Sequence, residues 1–433
     1  MTINELEQDT TMAQQGTYLG ERLGSKREGA SLVDWASLLS VLVLCALGLV
    51  SIYSATINAG MPNFFIKQAI FMGIGLVVMT GIIFIPTRWL EVAAPVVYGL
   101  SLALLAAVLV VGKTVGGQKN WLALGPLTFQ PSEIAKICTL MAIAVYLSRP
   151  NVNLHTLRDL GVIFLYTAAP VGLIILEPDF GSATVFVGMF LGVALWGGAD
   201  LFLLYALVTP PVAAIASLFG TQTLIITLIV ITLGAFAFRR RIIITAVVVM
   251  LSVGAGYAMP WAVNNVLKPY QKNRIEILLD PNKDPRGNGY NVVQSKMAVG
   301  SGGLWGRGFQ QGTQTQLRYI PKQWTDFIYC VPTEEFGFVG GTLVIVLLAG
   351  LCMRLLKIAE LVQRRFESTI IAGIASIWTY HTFVNIGMAL GLLPVIGIPL
   401  PFMSAGGTSL VINLAMLGLV LNFYRQMRRR YDA

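Results

Sequence analysis

The chain has 433 residues, of which 55% are apolar and only 12% charged, and a formal net charge of +9. Its mean hydropathy is +0.72, and its charged share is about half that of an average soluble domain. A compact fold in water has nowhere to hide so much apolar surface, so a soluble domain is excluded. The positive balance suggests a nucleic-acid binder only until the charges are placed along the chain. Four scattered cysteines (Cys45, Cys138, Cys330, Cys352) and two distant histidines (His155, His381) form neither a disulfide framework nor a metal spacing.

Residues 1–32 are polar and lack the charged-then-apolar-then-small pattern of a cleavable leader, so the first span is expected to act as the insertion signal. Apolar runs of about 20 residues cross a bilayer as helices. Twelve such spans are expected: Val33–Ser54, Phe64–Ile85, Val92–Gly112, Pro131–Ser148, Gly161–Leu176, Ser182–Gly197, Leu201–Phe219, Thr221–Phe238, Ile242–Ala262, Phe327–Met353, Thr369–Leu392 and Ala405–Tyr424. Lysine and arginine then sort by side. Arg22, Lys26, Arg27, Arg88, Arg149, Arg158, Arg239 to Arg241, Arg354, Lys357, Arg364, Arg365 and the cluster at 425–430 fall on one side. The short loops of the other side hold only Lys67, Lys113 and Lys119. This bias predicts both termini in the cytoplasm. The two halves show no repeat, which argues against an inverted-repeat transporter.

The expected organisation is a cytoplasmic tail over 1–32, nine spans over 33–262, a large extracytoplasmic loop with a short interfacial helix over 263–326, three spans over 327–424, and a basic cytoplasmic tail over 425–433. The loop carries nine cations: Lys268, Lys272, Arg274, Lys283, Arg286, Lys296, Arg307, Arg318 and Lys322. They serve either as a solvated surface or as a site for an anionic group such as a phosphate. Within the loop, Tyr290, Val293 and Met297 follow helical spacing, and Gly300, Gly302 and Gly303 end it.

Four constellations could carry chemistry. Around Pro131, the first turns of a span hold Gln130, Ser132, Glu133 and Lys136. Glu133 and Lys136 are three apart, hence on one face, as structural glue or as the lining of a polar cavity. LEPDFGSA over 176–183 reads as a turn with a helix N-cap, and contains Glu177 and Asp179. The stretch YIPKQWTDFIYCVPTEEFGFVGG over 319–341 sets three carboxylates at the mouth of an apolar run. Asp326 reads as a helix N-cap or as a functional group. Glu334 follows Pro332 and fits a helix start, whereas Glu335 fits it less well. Last, LLPVIGIPLPFMSAGGTSL over 392–410 interrupts apolar sequence with prolines and glycines around Ser404, a pattern tolerated at membrane depth when it is protein-buried or lines a cavity. By topology all four lie on the outer side. No nucleotide-binding motif occurs, so no nucleotide or organic cofactor is expected and the substrate must carry its own energy.

QPSEIAK at 130–136, EILLDP at 276–281, GYNVVQSKMAVGSGGLWGRG at 289–308, GTQTQL at 312–317, TDFIY at 325–329, EEFGFVG at 334–340 and LPVIGIPLPFMSAGG at 393–407 resemble the SEDS family (shape, elongation, division and sporulation). The resemblance runs from about Trp35 to Arg430, in ordered motifs with similar spacing. GTQTQL and GIPLPF look more like the RodA (elongation) branch than the FtsW (division) branch. The resemblance implies an all-α polytopic membrane protein of the bacterial plasma membrane, with about ten spans; the twelve expected here then include an added hairpin around 201–241. SAGG at 404–407 replaces the commoner SYGG, and Pro332 sits where the family usually has none.

The resemblance further implies a peptidoglycan glycosyltransferase that polymerises lipid II, a disaccharide-pentapeptide on undecaprenyl pyrophosphate, beside a class B penicillin-binding protein that crosslinks the strands. It places the family's essential aspartate on Asp326 and its Glu and Lys on Glu133 and Lys136. Gln130, Arg274, Lys296, Glu335 and Ser404 are further candidates for substrate binding. A divalent cation (Mg or Mn) is a candidate cofactor, with no residue assigned to it. The alternatives are a lipid II flippase, an FtsW-like division polymerase and a non-enzymatic scaffold.

Overall fold

A computed structural model describes residues 31–57, 60–61, 63–115, 118–124, 127–238, 242–266, 269–284, 287–321 and 323–431. Arg22, Lys26, Arg27, the triple arginine at 239–241, Lys268, Arg286, Lys322 and nearly all of the 1–32 tail lie outside the described residues.

Twelve helices of 17 to 25 residues form the body among the described residues. The first three are α1 (Trp35–Ile57), α2 (Asn63–Ile83) and α3 (Thr87–Val111). A three-stranded antiparallel meander follows, with β1 (Lys113–Val115), β2 (Gln118–Leu124) and β3 (Leu127–Phe129) in the order β1-β2-β3. Then come α4 (Pro131–Leu147), α5 (Leu157–Leu176), α6 (Phe180–Trp196), α7 (Leu201–Ser217), α8 (Thr221–Ala237) and α9 (Ile242–Asn265). Short helices α10 (Pro269–Leu279), α11 (Asn288–Ser301), α12 (Thr313–Gln316) and α13 (Cys330–Glu335) fill the long loop and its exit. The body closes with α14 (Gly337–Leu361), α15 (Arg365–Ala389) and α16 (Gly407–Tyr431).

Local sequence explains many of these ends. Pro131 opens α4 at a position where a missing N–H is harmless. Thr156, Asp179 and Asp200 cap α5, α6 and α7 by accepting from the backbone N–H of Asp159, Ser182 and Phe202. Lys119 of β2 donates to the carbonyls of Leu109 and Val110, which α3 leaves without helical partners.

Among the described residues, seven helices are both long and apolar enough to cross a membrane: α1, α2, α3, α5, α9, α14 and α16. Three more, α6, α7 and α8, are shorter apolar helices. The remaining two are α4 and α15. α4 buries every residue except Ile134, Ile137 and Val145, and α15 buries Glu367, His381 and Asn385. With α16, most of whose surface is also buried, they form the inside of the bundle, and the other long helices leave an apolar face outward. One continuous core runs through them, with Phe186, Phe327, Phe366, Trp378 and Phe423 fully buried. A small separate cluster of Ala213, Leu224 and Ile231 holds α7 to α8.

The two ends of the bundle differ. At one end, Arg354 grips Asp34 (Nε to Oδ1 3.0 Å), Arg364 meets Glu91 at 3.1 Å, and Arg430 meets the fully buried Glu367 at 2.8 Å. The meander, the long loop and the 390–406 connection cover the other end.

Two expectations change. The meander is missing from an all-α reading. The single run Phe327–Met353 is two helices, because Gly337 adopts φ +67 and breaks it. The loop at 303–308 fills that break: Phe338 N donates to Gly303 O (2.8 Å), Arg307 N to Glu334 O and Gly308 N to Glu335 O (both 3.0 Å).

Candidate active site

The segment 390–406 between α15 and α16 crosses the loop-covered end as a strap. Pro394, Pro399 and Pro401 remove donors and fix φ, so it cannot continue α15. Gly391 and Gly397 turn at φ +68 and +74. With so little internal pairing, the strap's polar groups bond to helices around it. Ser404 Oγ accepts from Leu400 N at 2.8 Å and donates to Thr325 O at 2.7 Å. Ala405 N donates to Trp324 O at 2.8 Å. Gln68 of α2 donates to Ser404 O and accepts from Gly406 N, both at 3.1 Å. On the opposite flank, α6 comes so close that a Cβ at Gly181 would lie 2.3 Å from Ile396 O.

This strap holds Asp326. Asn385 of α15 donates from one amide to both Asp326 O (2.9 Å) and Ile398 O (2.7 Å), tying the aspartate's backbone to the strap. The side chain faces Gly397, where a Cβ would sit 3.7 Å from Asp326 Oδ2. Asp326 is half-buried, within the turns of 323–329. It is not a helix N-cap: α13 begins only at Cys330, behind Tyr329, and has no side-chain cap.

The same strap reaches Glu133 and Lys136. Lys136 Nζ donates to Glu133 Oε1 at 2.8 Å and lies 3.2 Å from His381 Nε2, while His381 Nδ1 lies 3.0 Å from Pro399 O. All three side chains are buried. The i,i+3 pairing on one helix face occurs as expected.

Gln130 joins a different network. Its Nε2 donates to Asp179 Oδ2 at 2.8 Å, which also accepts from Asn120 Nδ2 of β2 and from Ser182 Oγ, each at 2.8 Å. Asp179 therefore links the meander to α4 and α6 besides capping α6. Its neighbour Glu177 is 1% exposed, and neither of its carboxylate oxygens has a hydrogen-bond partner. Burial, with the charge of Asp179, pushes its pKa from the ordinary 4.5 to about 8.

Glu334 does not open a helix, contrary to the helix-start reading. It lies near the end of α13, fully buried, and accepts from Gln314 N (2.8 Å), Thr315 N (2.9 Å) and Thr315 Oγ1 (2.6 Å). Glu335 accepts from Ser54 Oγ of α1 and from Gln316 Nε2 (3.3 Å). Both carboxylates thus fasten the GTQTQL turn, and Glu335 is an anchor to α1.

Ser404, expected to meet substrate, directs its hydroxyl to the backbone beside Asp326. Lys296 is exposed on α11 with its stem against Gly391, where the strap begins (Cδ 3.0 Å from a Cβ built there). Arg274 is half-buried on α10, which packs on α11 and on the turn Pro281–Lys283. The inward face of α11 is Val292, Ser295 and Ala298, one step round from the expected Tyr290, Val293 and Met297. Sequence reading missed Gln68, Asn120, His381 and Asn385. For Gln68, His381 and Asn385, polar residues inside apolar helices were the available signal. For the meander, the signal was the short β-prone runs on either side of GG and GP in KTVGGQKNWLALGPLTF.

Apolar helices around the buried α4, α15 and α16, with a strap-bound carboxylate at one end, define a multi-pass membrane protein with a candidate site at that end. The FtsW/RodA/SpoVE family of cell cycle proteins matches over residues 35–223 and 219–429, and the chain belongs to that family. It is 35% identical to the peptidoglycan glycosyltransferase MrdB of Escherichia coli K12, over 90% of this chain and 93% of that protein. It is 31% identical to the peptidoglycan glycosyltransferase RodA of Treponema pallidum, over 91% of this chain and 98% of that one. Among solved structures, a chain of a peptidoglycan synthase complex that coordinates polymerization and crosslinking superposes with a TM-score of 0.68 at 34% identity, covering 91% of this chain and 98% of that one. The rod shape determining protein RodA of Thermus thermophilus superposes with a TM-score of 0.61 at 29% identity, over 91% and 97%. Membership places the chain in the bacterial inner membrane.

Proposed function

We propose that this protein polymerises lipid II into glycan strands at the outer face of the plasma membrane, serves cell elongation, and works with a class B penicillin-binding protein. Its relatives are named peptidoglycan glycosyltransferases, MrdB and RodA among them, and one superposing chain comes from a complex that couples polymerization to crosslinking. The carrying observation is Asp326, half-buried at the end of the bundle and fixed through its backbone to Asn385.

In this reading Asp326 is the general base. The 4-hydroxyl of one lipid II attacks the anomeric carbon of the growing glycan, the bond to pyrophosphate breaks, and the hydroxyl proton passes to the carboxylate. Such positioned proton transfer contributes roughly 10²–10⁴ in rate. One displacement inverts α to β and needs one base. Lys136 Nζ has three N–H donors, two of them directed to Glu133 and His381. The third suits a pyrophosphate oxygen, and Lys296 at the start of the strap suits another. No three His, Cys, Asp or Glu side chains cluster as a metal cage among the described residues. A Mg or Mn ion is a candidate cofactor, to which the pyrophosphate oxygens would supply part of the shell. The topology that fits puts the strap end outside, with the Asp34–Arg354 end and the arginines beside it in the cytoplasm.

The test is lipid II polymerisation by the purified protein with its penicillin-binding partner, for wild type and Asp326→Ala. The reading predicts glycan chains from wild type and none from the folded mutant. Equal polymer from both would remove Asp326 from the chemistry. Flux of labelled lipid II across liposomes without polymer would favour the flippase.

A further inference from the structure

We infer that His381 is a positioning residue, which holds the Lys136 ammonium in place and joins it to the strap that carries Asp326. The tautomer follows from the geometry. Pro399 O has no proton to give, so the 3.0 Å contact requires the proton on His381 Nδ1. Nε2 then carries the lone pair, and the ammonium of Lys136, 3.2 Å away, donates to it. His381 is a neutral acceptor wedged between a cation and a carbonyl, and 3% exposed.

A lysine stem has four rotatable bonds, and its ammonium is a compact charge without directional preference of its own. Glu133 sits on the same helix as Lys136 and fixes it only to α4. His381 supplies the second acceptor from another helix, α15. Through Pro399, two residues beyond Gly397, it sets Lys136 in register with the strap against which Asp326 lies. The result is one rigid path from the cation to the carboxylate, as a donor and a base acting on one substrate require. This rests on the reading of Lys136 as a pyrophosphate donor.

Two substitutions divide the roles of the imidazole. In His381→Gln the amide oxygen stands near Nε2 and accepts from Lys136, but the bond to Pro399 O is lost. In His381→Asn the amide nitrogen stands near Nδ1 and keeps the Pro399 bond, but Lys136 loses its acceptor. With full-length protein and its partner, polymerisation is expected about three- to tenfold down for Gln, which frees the strap, and at least about tenfold down for Asn, which frees the ammonium, the scale of one hydrogen bond to a charged group. Wild-type rates in either variant would overturn the inference. A turnover-free readout accompanies it: detergent melts of Lys136→Met, His381→Asn and the double variant. Non-additive Tm shifts are expected, and additive shifts would overturn the contact. If wild type made no polymer, the functional reading would fail while the melts still decided the contact.

Discussion

The strap end and the α7–α8 hairpin are built from the same apolar residues, yet they obey opposite rules. α8 buries only Leu224, Ile231 and Ala235, and most of its other large side chains face outward. Its contacts stay within its neighbours and a three-residue core. α4 is buried almost all round and α15 over most of its length, and they carry Glu133, Lys136, Glu367, His381 and Asn385. In lipid, an outward apolar face needs no partner. A buried polar group needs one, because an unmade hydrogen bond there costs about 1–3 kcal/mol. The strap end is therefore specified residue by residue, whereas the hairpin is specified mainly by hydropathy.

The sharpest break of that contrast is Gly181→Ala. The added methyl would meet Ile396 O at 2.3 Å, a backbone carbonyl rather than the end of a flexible side chain, so strap and α6 must separate. A shift of about 1 Å at the strap is expected to lower polymerisation by about 10²-fold. Wild-type rates from this variant would mean that the strap does not position the site. Next is Glu334→Ala, which strands the N–H groups of Gln314 and Thr315 that the carboxylate now receives. A loss of about 3 kcal/mol is expected, read as a lower Tm with early proteolysis within 308–318. An unchanged melt would remove Glu334 from the loop's support.

A smaller effect concerns Glu177, whose folded-state pKa of about 8 stands above the ordinary 4.5. The folded protein therefore holds a proton that the unfolded chain releases. Its contribution to stability is fully present below about pH 4.5 and is lost as pH rises through about 8. Tm is expected to fall across that window, and Glu177→Gln, which stays neutral, is expected to flatten the fall. The same slope in both would assign the pH dependence elsewhere.

All twelve long helices were legible as apolar runs, most within a few residues at each end, because the membrane demands a satisfied backbone over a fixed thickness. Motif positions were legible as well, since prolines and glycines mark breaks wherever they fall. Partners were not. Nothing local in TEEFG says that Glu334 reaches back to Thr315, 19 residues away, or that Glu335 meets Ser54 on α1. Pro332 suggested the start of the long helix; the short α13 does begin two residues before it, but the long helix starts only past the break at Gly337, where the loop at 303–308 supplies the bonds. His381 looked like a solitary polar residue in an apolar helix because its acceptor and donor lie 18 and 245 residues away. Local propensity reads the chain's nearest neighbours, and this site is made of distant ones.

The comparison also needs a change that should do almost nothing. Gly254 lies in α9 beside the hairpin, and a Cβ there would meet no atom within 4 Å. Gly254→Ala adds the same methyl group as Gly181→Ala, at a helical position that alanine adopts without strain. The expected result is unchanged polymerisation and a gain of about 0.4–1 kcal/mol from the less flexible unfolded chain. Should Gly254→Ala instead impair polymerisation while the protein stays folded, lipid-facing space would not be what surrounds α9. The hairpin region would then belong with the strap end among the parts specified by contact, and a partner seated on that face would be the first thing to look for.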